Sequence, residues 1–279
     1  MSKSEFKKEA RYRTKQINIV KINGSISAHS TIQCDYYFTF DEKRNIAKVR
    51  LDDSVYEFNT SGSEPLANFI RTTDTIKKEM IYSIKSDGEI EDLLNQEAVQ
   101  KNWEQFKQNI ATYELFENSQ QQEIDKIINS GDMEYHSKEI LLKNSATNLF
   151  NQIVLGQYLT RSFSAFEIEE FATISHFFPQ VGFTVSCDTK KVKDSDEQTK
   201  YKKIGKPVFV DVDKMIRLYE QLYKEQVGFK FTDYLYDYDM NFTVSKADGL
   251  IDYASVTIDE RVKNNLQSQV MYELNRVEL

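Results

Sequence analysis

Hydrophobic and polar residues alternate over long stretches at both ends of the chain and fall at helical spacing in the middle. From Ile26, the residues Ala28, Ile32, Cys34, Tyr36, Phe38 and Phe40 share one parity, the pattern of a long half-buried strand. Gln16–Ile22 alternates in the same way, and the polar run Asp41–Asn45 turns the chain. Ile46 to Phe58 then returns, with Val49, Leu51 and Val55 on one face and Tyr56 and Phe58 on the other. That change of parity predicts a bulge near Val55. Pro65, just after Ser63, predicts a short helix running to about Thr72. Met80–Ile90 reads as a hairpin turned by Asp87-Gly88, residue types that tolerate positive φ.

The middle is helical. Asn95 is placed to cap a helix carrying Val99, Trp103, Phe106, Ile110 and Tyr113 at steps of three or four. A second helix is expected around Gln120–Asn129, ended by Gly131, and a third from about Ser137 to Tyr158 with Ile140, Leu141, Leu149, Ile153 and Val154 inward. Short joints between them predict one packed layer. The C-terminal part returns to sheet. Val181, Phe183, Val185 and Cys187 alternate, and the lysine-rich span Lys190–Lys203 reads as a hairpin tip. Asp211 or Asp213 caps a helix with Met215, Leu218, Leu222 and Val227. Strands follow over Phe229–Val244, Ile251–Ile258 and Val270–Leu274, the last a candidate edge. Strands at both ends around a helical middle predict an α+β fold with an antiparallel, curved sheet, not a doubly wound parallel one.

Charge changes this picture at the N-terminus. Residues 1–15 carry Lys3, Lys7, Lys8, Arg11, Arg13 and Lys15 against Glu5 and Glu9, and read as a basic arm, flexible or docked on something acidic. Residues 16–279 read as a single α+β domain, with a helical subdivision near 95–160 and a C-terminal sheet over 175–279. No apolar core of a signal peptide follows the basic start before Gly24, so an unprocessed cytoplasmic protein is expected. No apolar run is long enough for a membrane-spanning helix. The whole chain carries 44 acidic against 36 basic residues, which disfavours nucleic acid as a partner.

Candidate chemistry is sparse. Nine glycines, scattered singly, supply no phosphate-binding loop, and no metal-ligand or nucleophile-elbow spacing occurs. No catalytic residue, cofactor or metal is predicted. Cys34 and Cys187 read as free buried thiols, and His176 as a structural histidine beside Phe177-Phe178-Pro179. The most unusual composition is Asp233-Tyr-Leu-Tyr-Asp-Tyr-Asp-Met. In a strand it puts Asp233, Asp237 and Asp239 on one side and Tyr234, Tyr236, Tyr238, Met240 and Phe242 on the other. Successive carboxylates then stand about 6–7 Å apart, too far to hold a cation without help from another segment. With Lys200, Lys202 and Lys203 of the lysine-rich span, these acids form the candidate interaction surface.

The stretch Ser86-Asp-Gly-Glu-Ile-Glu-Asp-Leu-Leu-Asn-Gln-Glu-Ala-Val-Gln-Lys-Asn-Trp, with Leu141-Leu-Lys-Asn-Ser-Ala-Thr-Asn-Leu-Phe further on, resembles uncharacterised proteins of Bacteroidota. Some of these are associated with type VI secretion or contractile-injection gene clusters. The resemblance covers about a third of the chain and carries no site residues; it implies a binding or assembly role. The first functional expectation is a non-enzymatic interaction protein (an adaptor, assembly factor or immunity-type protein) with a protein partner. The second is a small-molecule or lipid-binding module with an aromatic-lined cavity under the helices. The third is an enzyme with a site built on His29, Cys34 or His176.

Overall fold

The computed structural model describes residues 7–60, 62–86, 88–117, 119–156, 159 and 169–279. Its strands are β1 (Lys7–Ile22), β2 (Ser25–Asp41), β3 (Ile46–Phe58), β4 (Glu79–Ile84), β5 (Ile90–Leu93), β6 (Glu169–Ile174), β7 (Gly182–Asp194), β8 (Gln198–Phe209), β9 (Tyr234–Ser245), β10 (Ile251–Val262) and β11 (Leu266–Val277). They hydrogen-bond in the order β5-β4-β3-β2-β1-β11-β10-β9-β8-β7-β6, an open antiparallel sheet of eleven strands. The helices are α1 (Glu64–Asp74), α2 (Gln96–Lys107), α3 (Gln121–His136), α4 (Lys138–Thr147), α5 (Leu149–Val154), α6 (Val212–Leu222) and α7 (Lys224–Val227). The chain is therefore α+β with a helical layer from its middle, as its patterning predicts. The strand order makes β11 interior, so Val270–Leu274 is not an edge; among the described residues the edges are β5 and β6.

Contacts divide the chain into two compact units. One comprises Met1–Thr14, Ile32–Ser162 and Arg276–Leu279; the other comprises Lys15–Thr31 and Phe163–Asn275. The first six residues of the expected basic arm lie outside the described residues. Residues 7–15 are not an arm but the start of β1, because their small and aromatic positions alternate with the cations. Ala10, Tyr12 and Thr14 are buried. The cations between them are matched by acids: Arg13 binds Asp35 at 2.9 and 3.0 Å, Arg11 reaches the same carboxylate at 3.3 Å, and Lys8 meets Glu42 at 2.8 Å.

In this first unit the parity of β3 switches at Asp52–Asp53, earlier than Val55. Ala47 and Val49 face inward before the switch and Ser54 after it, leaving Val55 exposed. The new inward face meets α1: Ser54 Oγ and Tyr56 OH both donate to Asp74, at 2.7 and 2.8 Å. Asn95 stands before α2 but makes no cap hydrogen bond. Its side chain instead bridges β4, accepting from the Ile81 N–H at 2.9 Å and donating to the Glu79 carbonyl at 2.8 Å. Of the expected turn pair, Gly88 has φ of 90° and Asp87 lies outside the described residues.

The helical stripe continues past α2 as two short 3-10 turns that bury Ile110 and Phe116. Gly131 does not end the second helix; α3 runs through it to His136. The third expected helix is broken at Asn148, whose side chain accepts from the Asn151 N–H and starts α5 afresh. Its residues 157 and 158 lie outside the described residues. Phe150 of α5 stacks on Tyr36 at 4.1 Å and meets Tyr12 edge-on at 5.8 Å.

In the second unit β7, β9, β10 and β11 alternate over most of their length. Val185, Cys187, Tyr236, Tyr238, Met240, Phe242, Ala254, Val256 and Ile258 form a buried face. Gly205 of β8 leaves the room this face needs, since a Cβ there would lie 2.6 Å from Val185 and 2.8 Å from the Cys187 sulfur. Asp211 caps α6, accepting from the Lys214 N–H at 2.9 Å. Met215, Leu218 and Tyr219 of that helix pack with Phe177, Phe178, Val181, Val227, Val262 and Leu266. Leu222, the last residue of that helix, is exposed. The strand expected from Phe229 begins at Tyr234, and Phe229 itself is exposed.

Candidate functional site

The outward face of the second unit carries the acidic residues that the composition singles out, and neighbouring strands answer them. Asp237 of β9 is bound by Lys206 of β8 and, at 3.2 Å, by Arg261 of β10. Arg261 stands 3.5 Å from Asp259, which accepts from Gln267 at 3.1 Å, and Gln267 in turn accepts from Lys21 at 3.3 Å. The result is a polar row across five strands. Asp239 binds Lys202 at 2.8 Å and accepts from Asn241 at 3.1 Å. The Lys206 hydrogen bond is the main influence holding Asp237 below the usual carboxylate range.

The other predicted surface residues are placed differently. Asp233 is exposed and precedes β9. Lys200 is exposed and makes no ion pair among the described residues. Lys203 alternates to the opposite face, where it is 8% exposed and pairs with Glu169 of β6. The predicted set is thus one paired acidic row with Lys202, plus three residues that do not join it.

Beside the row lies a feature the sequence reading did not single out. From the end of β8 into α6, Val208 is 59% exposed, Phe209 75%, Val212 42% and Ile216 38%. Val212 and Ile216 are one helical turn apart and so share a side of α6, on the flank of the same apolar arc whose centre Met215, Leu218 and Tyr219 bury. The apolar arc of the helix is wider than the part the core covers. That signal was legible as an excess of apolar residues over the single stripe a packed helix needs.

A well-connected polar group of the second unit is Glu260, which is completely buried. Its carboxylate accepts from Ser175 Oγ, from the His176 N–H at 2.7 Å and from Tyr234 OH at 3.1 Å. Ser175 Oγ also accepts from the Phe178 N–H at 2.9 Å. Glu260 therefore pins the loop that carries Phe177 and Phe178 into the core. His176 Nδ1 lies 3.2 Å from Ser268 Oγ and 3.9 Å from Glu260. Burial pulls this imidazole below its usual 6.5 against the opposing pull of Glu260. Serine and carboxylate meet the same ring nitrogen, so the ring cannot relay a proton from one to the other as in a hydrolase triad.

The two cysteines, one of them the enzyme candidate Cys34, are buried. Burial pushes the thiols of Cys34 and Cys187 up to about 11, leaving them protonated at neutral pH.

Helices of the first unit hold two further features. Glu104, Asp132 and His136 bring ligand-type atoms together, with His136 Nε2 3.2 Å from Glu104. Lys107 already fills the role of cation, 2.9 Å from Glu104 and 2.8 Å from Asp132. Next to it, a groove of about 290 Å³ opens between α1 and α3. Trp103 and Phe106 form its floor, near-parallel at 5.7 Å, and Trp103 stacks on Tyr135 at 4.9 Å. No protein-family model and no curated protein shows significant similarity to the chain.

Proposed function

We propose that the protein is a non-enzymatic interaction protein, an adaptor, assembly factor or immunity-type protein acting in the cytoplasm through a protein partner. The observation that carries this reading is the run Val208, Phe209, Val212 and Ile216, four large apolar side chains open to solvent within nine residues. Burying such side chains is worth about 1.5–3 kcal/mol each. Their exposure on a strand end and a capped helix, both rigid elements, favours a contact surface. The adjoining paired row adds polar, hydrogen-bonding groups beside an apolar centre, the composition common to protein interfaces. The resemblance of residues 86–103 and 141–150 to Bacteroidota proteins associated with secretion gene clusters agrees with an assembly role.

The test is affinity capture with the wild-type chain and with Phe209→Asp Ile216→Asp side by side. A stoichiometric protein held by the wild type and lost by the folded variant supports the reading. Equal capture by both removes this surface from consideration.

A further inference from the structure

We draw no further inference here: the strongest candidate, the side-chain cluster of Glu104, Asp132 and His136 between α2 and α3, already holds the Lys107 ammonium between its two carboxylates, and among the described residues nothing else there points to a metal ion.

Discussion

Gly131 and Trp103 share one volume: a Cβ added to Gly131 would stand 2.2 Å from Cη2 of the Trp103 indole. Glycine inside a helix costs about 1 kcal/mol relative to alanine. At this position it allows the indole to lie against the α3 backbone and lets Nε1 reach Asp132. Gly131→Ala is therefore expected to destabilise the protein by about 1–3 kcal/mol despite its better helix propensity. Denaturant unfolding measures the loss. Gly131→Ala should cost much less in a Trp103→Leu background, and additive effects would mean that the two residues are not coupled.

Glu260 is expected to be among the most sensitive positions of the second unit. Glu260→Ala removes one acceptor group from Ser175, Tyr234 and the His176 N–H at once. Leaving those donors buried and unpaired should cost about 3–5 kcal/mol. Glu260→Gln keeps the shape and part of the bonding and should cost less. Equal losses for the two would show that shape, not hydrogen bonding, is what the site requires.

Acid should weaken the fold through His176. Burial lowers its folded pKa below 6.5, so the folded state binds fewer protons than the unfolded chain. Its contribution to stability is then complete above the unfolded value and declines as pH falls below about 6.5 toward the lower folded value. His176→Gln should flatten the stability profile in that window. An unchanged slope in the variant would assign the acid sensitivity to other groups.

The paired acidic row should matter little to stability. Asp237 and Asp239 contact cations on partly exposed positions, where ion pairs contribute about 0–1 kcal/mol. Asp237→Ser Asp239→Ser should fold normally, with a midpoint close to wild type in urea. A large loss would mean that the row helps fix strand register.

Both thiols should resist alkylation in the native protein. Iodoacetamide at pH 8 is expected to modify Cys34 and Cys187 only as fast as the chain opens, since burial keeps both protonated. Rapid native-state labelling of either would show a thiolate that the surroundings do not favour.

Much of the sheet was legible because one face of most strands is buried and alternation therefore records it: Cys34, Phe38 and Phe40 in β2, and Phe183, Val185 and Cys187 in β7. The start of β1 was hidden because its outward positions are cations whose partners, such as Asp35, lie on another strand. Gly131 misled for a similar reason: a helix-ending residue type is indistinguishable in sequence from one that admits a tryptophan from another helix. The acidic face of β9 was visible, but Lys206 and Arg261, which neutralise Asp237, come from separate segments. Glu260 left no local signal, since the donors that make it tolerable arrive from β9 and from the loop before β7.

The most direct test of the interaction reading is a comparison of captured partners between wild type and Phe209→Asp Ile216→Asp, with circular dichroism confirming that the variant is folded. One protein is expected to bind the wild type near equimolar ratio and to be absent from the variant. The same protein retained equally by both, or no stoichiometric partner on the wild type, would contradict it.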